Sequence, residues 1–546
     1  MLQQKLSSFR FVSTILLAAV LVLSLFNTSI AQAEQSEFAQ AVASLAQKNF
    51  KKKEQALNAL SQFKDERVEG ILNAMLESRL YYLKSDQTVV FIKKIDGLYQ
   101  LNSVLNQELL GTVDKKKIKK ITVNNRLRKK IRVIFAKIKL NHADAKVRLI
   151  AVNEILKKVS PETLIVFREI NRQEKDEKVL AALAMGMALS EIDSGDVATQ
   201  LNAINVLSES LHPAARAKVA ALSLSTKEIT PAVRQAAQKA LKKIEGNLEF
   251  YAFLETLFFG LSLGSVLLLA AIGLSITFGV MGVINMAHGE LIMIGAYTTY
   301  VIQLLMPNNI GMSVIVAIPA AFIIAGLVGI AIERGVIRFL YGRPLETLLA
   351  TFGISLILQQ LVRSVFSPLN RVVETPAWMS GSWEINAALA ITYNRLYIVI
   401  FSLMVFFALL VFLKKSVFGL QMRAVTQNRQ MAKAMGIRST WVDALTFGLG
   451  SGIAGVAGVA LSQLTNVGPN LGQAYIIDSF MVVVFGGVGN LWGTLVAAFS
   501  LGVVNKFLEP WAGAVLAKIL VLVFIILFIQ SRPKGLFPQK GRAAEN

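Results

Sequence analysis

Between Thr256 and Ala287 lie 32 consecutive residues without a charged side chain. As one straight helix the run is about 48 Å long, against a bilayer hydrocarbon core of about 30 Å. It commits the chain to a membrane, yet a single straight span fits poorly. Gly260, Gly264, Gly273, Gly279 and Gly282 offer places to bend, and the four-residue step from Gly260 to Gly264 lets another helix approach closely. Further apolar runs lie near 291–306, 312–333, 344–363, 394–413, 441–463, 475–487, 490–508 and 512–530. The run 475–487 is short for a crossing and reads as a re-entrant half-helix. The expected fold class is all-α: a polytopic membrane bundle of about 8-9 spans behind an exported α-helical, HEAT-like repeat domain.

Charge divides the chain into two unlike parts. Residues 34–250 hold 37 Lys or Arg and 25 Asp or Glu, whereas the residues from 251 onward hold 18 and 10. Ahead of both, Lys5 and Arg10 precede the apolar run Phe11–Phe26, and Ala31-Gln32-Ala33 supplies small residues where a signal peptidase reads. The expected organisation is a signal peptide over 1–33, an exported domain over 34–250 and a membrane domain over 251–546. The exported part shows Ala/Leu periodicity and a recurring pattern: Asp144-Ala-Lys-Val-Arg148, Asp176-Glu-Lys-Val179 and Pro231-Ala-Val-Arg234 each lead into a helical run. Short apolar runs between Tyr81 and Leu110 suggest a small β-insertion. Lys115–Lys139 carries 12 basic residues and no acid. An exported location and the single aromatic Phe135 argue against nucleic acid, leaving a solvated face, lipid or a soluble partner.

The polar loop 414-440 fixes orientation. Lys414, Lys415, Arg423, Arg429, Lys433 and Arg438 stand in it with no acid before Asp443, and basic loops between spans stay in the cytoplasm. Alternation then puts 13 basic residues inside and about five outside, with Tyr251 outside, where the signal peptide independently places residues 34–250. Read as one helix, the loop sets Ala424, Asn428, Met431 and Met435 on one edge beside Val425 and Ala432, with Arg429 and Lys433 pointing elsewhere. Such an edge suits a partner cleft, because Met is flexible and polarizable.

Within the spans, Gly448, Gly450, Gly452, Gly455 and Gly458, and again Gly486, Gly487, Gly489 and Gly493, mark close helix packing. One chain of eight or nine spans seldom encloses a path alone, so a related second membrane subunit in a heterodimer is expected. Of the ionisable groups in the membrane part, His288, Glu290 and Glu346 read as helix-end residues near the cytoplasmic boundary, and Asp478 and Lys518 as a possible pair. The chain has no Cys, and its three His residues are far apart, so no metal is expected. No Gly-x-x-x-x-Gly-Lys-Ser/Thr occurs, so energy must come from another subunit. No cofactor is implied.

The runs Gly279–Thr298, GLQMRAVTQNRQMAKAMGI at 419–437, GSGIAGVAGVA at 450–460 and Ser531–Phe537 resemble the permease subunits of branched-chain amino-acid type ABC importers. RFLYGRPLETLLATFGISLILQQ at 338–360, residues 462–490 and NKFLEP at 505–510 look most similar to the urea permeases of that family. The resemblance covers essentially all of 251–540; over 34–250 it rests on layout and ITVNNRLRKKI at 121–131. It implies an inner-membrane importer for urea, or for a branched-chain amino acid or another small amide. It further implies a periplasmic substrate-binding protein and cytoplasmic ATP-binding subunits docked on Arg423, Ala424, Asn428, Met431, Ala434, Met435 and Gly436. The Glu-Ala-Ala opening of many importers is missing here. A small neutral solute needs amides along its path, and Gln359, Gln360, Asn466, Asn470, Gln473 and Asn505, with Asp478 nearby, are the candidates; each reads more readily as a polar helix cap than as pore lining. A passive channel would need no docking loop, and a sensor would need an output domain that the short tail after Gln530 does not supply.

Overall fold

The computed structural model describes residues 36–538 apart from 48, 64, 96–97, 107, 157–160 and 225–228. The signal peptide expected over 1–33 and the basic residues Lys540 and Arg542 lie outside the described residues. The chain divides into two compact units, Met1–Ile244 and Glu245–Asn546.

In the first unit, helices α1 (36–44), α2 (Phe50–Leu60) and α3 (Glu66–Leu76) precede five strands. These are β1 (Leu80–Leu83), β2 (Val89–Ile95), β3 (Leu98–Ser103), β4 (Leu109–Val113) and β5 (Ile118–Lys120), an antiparallel sheet in the order β4-β3-β2-β1-β5. The β-insertion expected over 81–110 is therefore a five-stranded sheet ending at Lys120, and the fold as a whole is mostly helical rather than all-α. Phe38, Leu45, Leu57, Leu60, Ile71 and Leu72 fill the core between the first helices and one sheet face. Six helices follow: α4 (Asn125–Leu140), α5 (Ala145–Leu156), α6 (Pro161–Asn171), α7 (Glu177–Glu191), α8 (Val197–Ser208) and α9 (Pro213–Ser223). The recurring Asp is a start signal: Asp176 Oδ1 accepts from Lys178 N and Val179 N, and Asp144 Oδ1 from Lys146 N.

The second unit is built from α10 (Pro231–Met281, whose first turns belong to the first unit), α11 (His288–Leu305), α12 (Ile310–Gly335), α13 (Pro344–Phe366), α14 (Tyr393–Lys415), α15 (Val417–Gln427), α16 (Arg429–Ala434), α17 (Ser439–Ser462), α18 (Gln473–Gly486) and α19 (Leu491–Ser531). A hairpin, β6 (Ser382–Asn386) and β7 (Leu389–Thr392), precedes α14. Six helices among the described residues are long and apolar enough to cross a membrane: α10, α12 with the short turn after it, α13, α14, α17 and α19. The runs behind the expected 8-9 spans are distributed among the helices of this unit. The run 475–487 is only the 14-residue α18. The runs 490–508 and 512–530 are two halves of α19, broken at Gly513 (φ 77, ψ 159) just after Pro510. The run 291–306 belongs to α11, which starts at His288 and takes Glu290 into its first turn.

The long uncharged run does not bend at its glycines. α10 continues to Met281 and stops at Gly282, whose φ of +66 ends the helix. The earlier glycines serve as contact points. A Cβ on Gly260 would lie 2.7 Å from Val503 Cα, and one on Gly264 2.8 Å from Phe499 Cα, so α10 lies directly on α19. α17 is buried over nearly its whole length. Its Gly448 and Gly452 sit against Ile330 and Phe322 of α12, and Gly455 against Ala321 and Ala325 of the same helix. Its Gly450 meets Gly273 of α10, and its Gly458 meets α11 at Ile292. Gly486 of α18 lies against Gly493 of α19, and Gly487 (φ +103) against Phe537.

Candidate functional site

α13 is arranged inside out for a soluble protein and as expected for a helix that faces lipid on one side. Leu345, Leu349, Phe352, Leu356, Leu361 and Val365 are exposed, whereas its buried residues are Thr347, Thr351, Ser355, Gln359 and Val362. The steps of four from Thr347 to Gln359 set four polar side chains in one row. That row packs on α11 and on the irregular segment before it. Thr351 Oγ1 accepts from Met286 N at 3.1 Å and lies 3.4 Å from Ile284 O. Ser355 Oγ donates to Glu290 Oε1 at 3.1 Å.

This α11–α13 seam holds buried polar atoms with no hydrogen-bond partner among the described residues, Glu290 Oε2, Tyr297 Oη and Gln359 Nε2, with Asn285 Nδ2 on the segment before α11; His288 Nδ1 is likewise unpartnered but on the side of α11 that meets α10. Unmet polar groups inside a protein are costly, and several together mark a place built for something other than packing. Glu290 and His288 do begin a helix, as expected, and both are buried. His288 Nε2 lies 2.8 Å from Ala270 O. Glu346 is exposed and paired with Arg343 at 3.2 Å.

Of the seven residues selected from sequence as path candidates, only Gln359 lies in the seam; Ser355, Glu290 and Asn285 were missed as members of it. Gln360, Asn466 and Gln473 are exposed, and Asn505 is half-buried on α19. Asn470 Oδ1 accepts from Arg363 Nη2 at 2.7 Å, and Arg363 is one further step of four along the α13 row. No hydrogen bond joins the candidates to one another among the described residues. Asp478 is held by Lys518 at 2.8 Å, the pairing expected from sequence.

The basic loop is two short helices and not one. Ser416 Oγ caps α15 by accepting from Gly419 N. Asn428 takes extended geometry (φ −156, ψ 98), and its Oδ1 accepts from Met431 N at 2.9 Å to start α16, which closes before Gly436 (φ +86). The break divides the expected apolar edge. Val425 and Ala432 are buried against the body of the unit and Ala424 is half-buried. Met431, Ala434 and Met435 are exposed, Met435 at 77 %. Arg423 donates back to Leu413 O. Arg429, which the spacing points away from that edge, is tied into the protein: it pairs with Asp443 of α17 at 2.7 Å and lies over the Tyr341 ring at 4.0 Å. Arg334 at the end of α12 lies over Trp441 at 4.4 Å. No group of three or more His, Asp or Glu suited to a metal occurs among the described residues.

Residues 256–529, which include nearly all of α11–α19, match the family described as branched-chain amino acid transport system / permease component. The chain is 30% identical over 298 residues to the high-affinity branched-chain amino acid transport system permease protein BraD of Pseudomonas aeruginosa, and 32% identical over 298 residues to the LivH permease protein of Salmonella typhimurium. Each alignment covers 53% of this chain and 96% of the relative. The ribose import permease protein RbsC of Bacillus subtilis is 29% identical over 139 residues, 24% of this chain and 43% of that protein. No solved structure matches.

Proposed function

We propose, from the premise that this chain belongs to the family of branched-chain amino acid transport system permease components, that it is the membrane subunit of an ATP-driven importer and lines the solute's path. The observation that carries this reading is the row of polar side chains on the buried face of α13, set against Glu290 while the helix presents its apolar residues outward. A helix that served only as an anchor needs neither a buried amide such as Gln359 nor a contact with a buried carboxylate such as Glu290. Hydrolysis belongs to separate cytoplasmic ATP-binding subunits, which dock on the loop through Arg423, Ala424, Asn428, Met431, Ala434, Met435 and Gly436. A second permease subunit completes the path and a periplasmic binding protein delivers the solute. We place residues 34–250 outside the inner membrane as a HEAT-like domain following a signal peptide, with the C-terminus in the cytoplasm.

Branched-chain amino acids, named for the relatives, are the first reading of the substrate. Urea is the second. It is favoured by the urea-permease-like stretches 338–360 and 462–490, because the first supplies most of the polar row and the second supplies Asn470, which holds Arg363. The test is reconstitution with the ATPase, partner permease and binding protein in liposomes, followed by uptake of radiolabelled leucine and of urea. Accumulation that requires ATP supports the importer; equilibration of either solute without ATP contradicts it, and the label that accumulates names the substrate.

A further inference from the structure

We propose that Glu290 and Gln359 form a recognition point in the permease itself, selecting solutes that carry an N–H donor group together with an oxygen acceptor; this rests on the importer reading above. Glu290 is 1% exposed, with one carboxylate oxygen engaged by Ser355 and the other, Oε2, without a partner. Gln359 is 5% exposed, and its Nε2 is likewise unpartnered. Ser355 and Gln359 are four residues apart on α13, so the hydroxyl that fixes Glu290 stands one turn from the amide on the same helix face. The pair thus offers a buried acceptor and a buried donor on facing helices.

The alternative is that Glu290 merely favours the positive end of α11, where acids are stabilising. That role needs no contact with α13 and leaves the orphaned amide of Gln359 unexplained. Nor is the carboxylate neutralised by a cation at hydrogen-bond distance: Arg363, on the same row, donates to Asn470. A buried carboxylate oxygen is best matched by an N–H, and the amide donor by a carbonyl or carboxylate oxygen. An α-amino acid brings an ammonium and a carboxylate, and urea brings two NH2 groups and a carbonyl. The donor-plus-acceptor chemistry is shared by the two solutes.

The test measures uptake KM in the full reconstituted complex for leucine and for urea, with Glu290→Gln, Gln359→Met and, as a control on the outward face, Leu356→Ala. Gln359→Met conserves volume and should raise KM for the transported solute by roughly tenfold or more, the loss of a hydrogen bond to a charged or strongly polar partner. Glu290→Gln should raise KM strongly if the solute is leucine, since a charge-assisted bond is lost, and only a few-fold if it is urea. Recovery of assembled complex is read alongside; if Glu290→Gln does not assemble, Gln359→Met decides alone. ATP-driven uptake of an unchanged KM in Gln359→Met overturns the recognition point and leaves the importer standing. Absence of ATP-driven uptake by the unsubstituted complex overturns both.

Discussion

Arg429 of α16 and Asp443 of α17 meet through two parallel hydrogen bonds, Nη1 to Oδ2 at 2.7 Å and Nη2 to Oδ1 at 2.8 Å. The fork geometry makes this a directional clamp, and the Asp443 side chain is only 6% exposed. It ties α16 to a helix whose glycines lie directly on α11 and α12. The clamp thus links α16 directly to the packed core.

Removing one member of an enclosed ion pair costs about 3–5 kcal/mol, because the other charge is left uncompensated. Asp443→Ala should lower the thermal-unfolding midpoint of the purified protein and abolish ATP-driven uptake. Adding Arg429→Ala to it should recover part of the stability but none of the coupling. Equal, additive losses in a double-mutant cycle would show that the two residues do not act as a pair.

Met431 and Met435 are exposed; on the proposed reading they anchor an ATPase cleft and Lys433 is a rim charge. Truncating an anchor costs about 2 kcal/mol or more of binding, roughly a thirtyfold weakening, whereas a rim charge costs under about 1 kcal/mol. Met435→Asp should eliminate co-purification of the ATPase while the permease still inserts, and Lys433→Ala should be mild. Normal ATPase recovery with Met435→Asp would leave the loop as a segment resting on the membrane surface.

Much of the membrane part was legible because span length and charge bias act over whole segments. Lys518 and Asp478 could be paired from sequence because charges are rare there and both fell on one side. The break at Asn428 was harder to read, since the apolar edge continues through it at helical spacing; Asn as an N-cap was the available signal. The seam was missed for a different reason. Thr347, Thr351 and Ser355 look like ordinary helix residues that hydrogen-bond their own backbone, as Thr347 does to Arg343 O. Only their recurrence every four residues up to Gln359, in an otherwise apolar helix, distinguishes them.

Close helix contacts predict a sharp contrast between two glycines. A Cβ on Gly455 would lie 2.5 Å from Ala321 O and 2.7 Å from Ala325 Cβ, while one on Gly246 meets nothing within 4 Å. Gly455→Val forces α17 from α12 and should cost more than the about 1–3 kcal/mol usual for overpacking. Gly246→Ala, within α10, should stabilise by about 0.5–1 kcal/mol. Thermal unfolding of the two variants in one detergent checks both signs.

In the first unit, Arg148 grips Glu174 through Nε to Oε2 at 2.7 Å and Nη2 to Oε1 at 2.8 Å, and the Lys175 and Asp176 amides donate to the same carboxylate. The Arg148 hydrogen bonds foremost hold its pKa down to about 2 from the ordinary 4.5. A depressed carboxylate contributes stability above its unfolded value and loses it as pH falls from about 4.5 toward about 2. The contribution is at most about 3 kcal/mol. Glu174→Gln should therefore lower the thermal midpoint at pH 7, and the difference from the unsubstituted protein should shrink by pH 2.5. A difference that stays constant over that range would contradict the linkage.

That the α11–α13 seam is the solute's path is tested most directly by placing a single reporter in it. The chain has no cysteine, so Ser355→Cys, with Leu356→Cys on the exposed face of α13 as control, gives two clean labelling sites. In the reconstituted importer, a small thiol reagent should modify position 355 at a rate that falls several-fold with transported solute and changes again when ATP is added, while position 356 responds to neither. Labelling at 355 that is indifferent to both solute and ATP, in a complex that still transports, would place the path elsewhere.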